Sequence, residues 1–148
     1  MRKFFVLLVC SVLFVTFSGS SALGAAKGTA RPWRATGSGN GLFTAGTPLT
    51  FTIDGTSNNT HLGRSTFHLD GVCTNVDCST FTFTFTIVAA NGDTLNASGE
   101  NESVIFTGGT GRFAAASGTL TNTPTVVADL NNPAAFHVTF TQTGTISY

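Results

Sequence analysis

The stretch Thr80-Phe81-Thr82-Phe83-Thr84-Phe85-Thr86-Ile87 alternates hydroxyl-bearing and apolar side chains without interruption. Only an extended backbone puts all of the rings on one face and all of the threonines on the other; a helix would scatter them around its axis. Threonine, β-branched and polar, suits the wet face of a half-buried strand. The pattern recurs: Phe51 and Ile53 alternate with Thr50, Thr52 and Asp54, and Phe67 and Leu69 with Thr66, His68 and Asp70. Near the end of the chain, Phe136, Val138, Phe140, Ile146 and Tyr148 share one parity, and His137, Thr139, Thr141, Thr143, Thr145 and Ser147 share the other. No window carries a convincing helical period, so the sequence predicts an all-β protein.

Runs near 36–44, 48–54, 62–70, 80–89, 93–99, 102–107, 112–120 and 136–147 predict eight strands, with a weaker candidate at Thr125–Ala128. The tract Asp54–Asn59 reads as a turn. Asn91-Gly92-Asp93 reads as a tight hairpin, and Gly108-Gly109-Thr110-Gly111 breaks the chain after Phe106. Pro124 and Asn131-Asn132-Pro133 mark 121–134 as a long irregular connection. Short links between successive strands imply an antiparallel meander. One strongly apolar face favours its closure into an eight-stranded up-and-down β-barrel over 35–148, with a two-sheet β-sandwich as the alternative. Residues 27–34 then form an N-terminal extension. Gly37, Gly39 and Gly41 share a parity, and a glycine stripe weakens a strand unless something bulky meets it. Packing against the phenylalanines is the favoured reading, ahead of a ligand-clasping loop.

Composition narrows function by exclusion. Charged residues make up 9% of the 148-residue chain, and the seven basic and seven acidic residues cancel. Phosphate attraction has little to act through, so nucleic acid is not expected as a partner. Hydrophobic residues at 41%, with 14 Phe, exclude a disordered chain.

Residues 1–26 have the order of a secretory signal peptide: Met1-Arg2-Lys3, an apolar run from Phe4 to Phe17, then small residues. The small-x-small rule fits cleavage after Ala22, Gly24 or Ala26. The run is shorter than the roughly 20 residues of a membrane-spanning helix, so no span is expected after cleavage. The expected location is secreted or periplasmic. Cys73 and Cys78 remain, and outside the cytosol such a pair is expected to form a structural disulfide. Their spacing matches neither a C-x-x-C redox motif nor a zinc site.

The tract Gly108-Gly109-Thr110-Gly111-Arg112-Phe113-Ala114-Ala115-Ala116-Ser117-Gly118 resembles the GGTGxFxxAxG stretch of plant dirigent proteins and related allene oxide cyclase-like barrels. Together with Thr60-His61-Leu62-Gly63, Ala89–Leu95 and Gly144–Tyr148, it makes the chain similar to small exported bacterial proteins likened to that superfamily. The resemblance covers most of 35–148. It implies an eight-stranded barrel with an inner cavity, and it raises a homo-oligomer, since plant members often assemble. Ala114 and Ser117 depart from the basic residues frequent in the dirigent tract. Gly108, Gly109, Thr110, Gly111, Phe113, Ala116 and Gly118 are read as a structural motif, because a phosphate loop would need a Gly-Lys-Ser/Thr ending and a following helix.

No catalytic, cofactor or metal set can be assigned. The inward parity holds Phe, Leu, Ile and Val, with Gln142 and Tyr148 as its clear polar members, while Arg64, His68, Asp70 and His137 face outward. A metal site would need His61, His68 and His137 to meet. Glu100 and Glu102 near a turn have no placed counterpart for glycosidase chemistry. The acidic residues that the resemblance would put in the cavity have no inward counterpart. The leading expectation is a non-enzymatic exported barrel that binds a small apolar molecule or self-associates. One alternative is a cyclase-like or dirigent-like enzyme or stereochemical guide; another is a surface-binding protein using the Thr-rich strand faces.

Overall fold

The computed structural model describes residues 28–148, and the predicted leader lies outside the described residues. Eight antiparallel strands run in chain order around a closed barrel: β1 (Arg31–Thr44), β2 (Thr50–Asn59), β3 (Gly63–Cys73), β4 (Phe81–Ala89), β5 (Thr94–Glu100), β6 (Ser103–Gly109), β7 (Ser117–Ala128) and β8 (Ala135–Ser147). β8 returns to pair with β1. The barrel, not the sandwich, is the architecture. Among the described residues no helix is long and apolar enough to cross a membrane.

Closing eight strands leaves little room for so many rings, and glycine resolves the crowding. Phe51 lies opposite Gly71 and Phe67 opposite Gly55, Phe83 opposite Gly99, and Phe136 and Phe140 opposite Gly41 and Gly37. At each of these glycines a Cβ would collide with the ring across from it; at Gly55 it would lie 2.7 Å from Phe67 Cε1. Each ring therefore occupies the space that a side chain on the facing glycine would take. The β1 glycine stripe is part of this packing. Neighbouring rings meet edge to face, as in Phe51–Phe81 (5.5 Å, 80°) and Phe67–Phe140 (5.4 Å, 78°). Such pairs contribute about 0.5–1.5 kcal/mol beyond the area they bury.

Three boundaries differ from the sequence reading. β1 begins at Arg31, so Pro32, Trp33 and Arg34 belong to the barrel and not to an extension; Trp33 is completely buried. β2 continues through Asn59. Its second half looked like a turn because its inward residues are Gly55, Ser57 and Asn59, small or polar. The reversal falls instead at Thr60–Leu62, where Asn59 Oδ1 accepts hydrogen bonds from the backbone N–H groups of Leu62 (2.7 Å) and His61 (3.3 Å).

β7 runs unbroken to Ala128 and absorbs both Pro124 and the weak 125–128 candidate. The Asn122 N–H is the last to reach the β6 side, at Glu102 O (2.8 Å). Two residues on, the Pro124 nitrogen points the same way, beyond the end of β6 at Ser103, where no strand needs a donor. Proline is tolerated because β7 is an edge there.

Candidate functional site

The two ends of the barrel are built differently. At one end Trp33, Leu95, Phe113 and Ile146 are fully buried and fill the lumen. The glycine tract supplies much of this plug. Gly108 and Gly109 end β6; Thr110 Oγ1 accepts from the Thr94 N–H (2.8 Å), and a single 3-10 turn over Gly111–Phe113 carries the Phe113 ring inward against Tyr148. Gly111 has φ +55°, and a side chain there would strike the Asp93 carboxylate. Ala116 is buried, and Gly118 abuts the Thr145 carbonyl at the start of β7.

The other end carries the disulfide loop and is open. β5 and β6 have seven residues each, beside twelve in β7 and thirteen in β8. The long β7–β8 arm thus overhangs the short β5–β6 hairpin, and the wall between them stops early. A cavity of about 310 Å³ opens there, lined by Phe43, Phe51, Ile53, Leu69, Phe81, Phe83 and Phe136, with Asp77, Cys78, Asn101, Asn122, Pro124 and Val126 around it. A smaller compartment of about 40 Å³ continues inward past Leu69, Phe83 and Asn122 to Ser57 and Gln142. Cys73 and Cys78 are bonded, with Cα atoms 4.8 Å apart, and fix the β3–β4 loop at the rim. In that loop the Ser79 backbone N–H holds the Asp77 carboxyl below its ordinary value, so the rim carries a negative charge.

The inner polar groups number more than the sequence reading found. Besides Gln142, the side chains of Ser57, Asn59 and Ser65 are buried. Ser57 Oγ and Ser65 Oγ are 2.9 Å apart, and Asn59 Nδ2 donates to Ser65 Oγ (3.1 Å). The Trp33 indole N–H donates to Gln142 Oε1 (3.3 Å). These hydrogen bonds tie β2 to β3 and β1 to β8. Asn122 is different. Its Oδ1 is buried with no hydrogen-bond partner. Its parity with Leu120 is the inward one, but Pro124 and Asn131-Asn132-Pro133 mask the strand in the sequence.

The three histidines stay apart. His68 is on the outer face with Nδ1 2.7 Å from Asp54 Oδ1 and Nε2 3.3 Å from Asp70 Oδ1. The hydrogen bond to Asp54, aided by both carboxylate charges, raises its pKa above 6.5. His137 is outward and contacts Asn40 Oδ1 at 3.0 Å. His61 sits at the plugged end between Pro32 O (2.8 Å) and the Tyr148 hydroxyl (3.2 Å), which also accepts from Arg31 Nη1 (3.2 Å). Nε2–H donating to the Pro32 carbonyl leaves Nδ1 to accept from Tyr148. This ties β1 to the last residue of the chain, and none of these groups lines the lumen. Among the described residues no three His, Cys, Asp or Glu gather as a metal set.

Among the described residues a concavity of about 790 Å³ is a shallow saddle on the outer face of β3–β6, bordered by Asp70, Val72, Thr82, Thr84, Ser98, Glu100 and Ile105. It is open to solvent and presents no outward aromatic ring. The ring-lined mouth, recessed into the end of the barrel, is the better candidate for small-molecule binding.

No protein-family model and no curated protein sequence matches the chain. Among solved structures the chain is similar to a pterocarpan synthase dirigent protein, with a TM-score of 0.58 at 11% identity, covering 90% of this chain and 98% of that one. The fold is therefore a dirigent-like eight-stranded barrel. At that identity the likeness extends to the fold and no further.

Proposed function

We propose that the barrel binds a small, uncharged, mainly apolar molecule in its Phe-lined mouth and does not transform it. The carrying observation is the cavity of about 310 Å³, walled by aromatic and aliphatic side chains at the end of the barrel opposite the buried Trp33 and Phe113. The buried polar residues include no ionisable group, so the lumen offers no proton donor or acceptor tuned by burial. The Cys73–Cys78 bond and the leader-like residues 1–26 support an exported protein.

N-phenyl-1-naphthylamine, an uncharged fluorophore, tests this reading. Bound in the mouth it is expected to gain fluorescence with a sub-millimolar Kd, from ~0.3 kcal/mol per ligand heavy atom. Ile53→Trp, which fills the cavity, should abolish the signal. No fluorescence gain in the wild-type protein would refute the reading.

A second reading, a stereochemical guide for a reaction driven by another agent, draws on the likeness to the dirigent barrel. A guide needs a shaped cavity and no acid or base of its own. A change in product chirality when the protein is added to such a coupling would favour it over simple binding.

A further inference from the structure

One polar atom of the lumen is left unanswered by the protein. Asn122 stands at the neck between the mouth and the inner compartment and lines both. Its Oδ1 is buried without a hydrogen-bond partner, whereas the other polar groups of the lumen pair among themselves. Gln142, its cross-strand neighbour, already uses Oε1 to accept from Trp33. A buried acceptor without a donor is costly in the empty protein, and a ligand that supplies the donor recovers that loss. The identity of the donor is constrained by charge. No cation lines the cavity, so a carboxylate ligand would find no counter-ion and would meet Asp77 at the rim. An ammonium would be drawn to the Asp77 carboxylate at the rim, and moving on to Asn122 would exchange water for an uncharged acceptor. The hydroxyl of an uncharged alcohol meets both conditions.

We propose that Asn122 is the specificity residue of the lumen and selects a compact neutral alcohol, whose O–H donates to Asn122 Oδ1 while its carbon frame packs among Phe51, Phe83 and Leu69. This rests on the binding reading above. A cavity near 310 Å³ is at the small end of the ~300–1,000 Å³ range of ligand pockets, which favours a compact frame.

The test uses the oxidised wild-type protein and Asn122→Leu, which removes the acceptor and keeps the branched shape of the side chain. 1-Adamantanol, 1-methyladamantane, 2-adamantanone, 1-adamantanamine and adamantane-1-carboxylate compete against N-phenyl-1-naphthylamine. Compared between wild type and variant, the ratio of alcohol to methyl affinity is free of the intrinsic hydration of the two groups, which is the same for both proteins. It is expected to fall roughly tenfold in Asn122→Leu, about the worth of one well-made hydrogen bond. Asn122→Ala repeats the comparison with no added bulk, and thermal unfolding checks that each variant folds. An unchanged ratio, with both compounds binding, overturns the role of Asn122 and leaves the binding reading standing. Stronger dependence on Asn122 for the ketone, the amine or the carboxylate than for the alcohol also overturns it. Binding of none of the compounds, fluorophore included, overturns the binding reading itself.

Discussion

Gly71→Ala gives the sharpest test of how the barrel accommodates its rings. Gly71 faces Phe51 across β2–β3, and a Cβ there would lie 2.5 Å from Phe51 Cε1 and Cε2, where carbon atoms prefer ~3.5–4.0 Å. The ring would have to leave its place and disturb its contacts with Phe43 and Phe81, at 5.7 and 5.5 Å. Overpacking of this kind costs ~1–3 kcal/mol. Gly71 does not have a positive φ, so backbone propensity alone would make alanine stabilising by ~0.4–1 kcal/mol. The two effects have opposite signs, and packing is expected to win by about 1–2 kcal/mol. With a urea m-value of ~1–3 kcal/mol/M, the midpoint should fall by about 0.5–1 M. Phe51→Leu in the same chain should relieve the clash, so that the double variant is more stable than the sum of the singles by about 1 kcal/mol. Fluorophore affinity should fall in Gly71→Ala, because the displaced ring enters the mouth. A variant as stable as wild type, or more so, refutes the reasoning.

Phe113→Ala empties the plug, and since Phe113 is fully buried, a loss of ~3–5 kcal/mol in urea unfolding is expected. Replacing both Cys73 and Cys78 by Ser opens a short loop; the chain-entropy model expects about 2 kcal/mol, read as a lower midpoint. The His68–Asp54 pair raises the folded pKa of His68 above 6.5, so its contribution is fully present below about that pH. It is lost as pH rises through the folded value. The stability difference between wild type and Asp54→Asn should therefore be largest near pH 6 and vanish in alkaline buffer. It should stay under ~1 kcal/mol, because the pair is exposed.

The parts of the fold that were legible in sequence are those where large apolar residues mark the inner face. Phe81 to Ile87 and Phe136 to Phe140 declare their strands and their orientation, and chain-order pairing follows from the short links. Legibility failed where the inner face carries small or polar groups. Ser57 and Asn59 hide the second half of β2, and Asn122 and Pro124 hide that of β7. A proline that fits only because β6 has already ended cannot be interpreted without knowing where β6 ends. The candidate site was illegible for the same reason. Its lining could be named from parity, but its opening depends on a mismatch in length between adjacent hairpins, a property of the assembled barrel. The glycine tract was recognisable as a motif, yet nothing local to it shows that Phe113 closes the far end.

The proposed binding requires that the mouth admit an uncharged apolar guest. A crystal of the oxidised protein grown with 1-bromoadamantane tests it directly, because bromine can be located by anomalous scattering independently of the protein atoms. A bromine peak is expected inside the barrel, among Phe51, Leu69 and Phe83. A lumen without bromine at saturating compound, with peaks confined to the outer saddle of β3–β6, would contradict it.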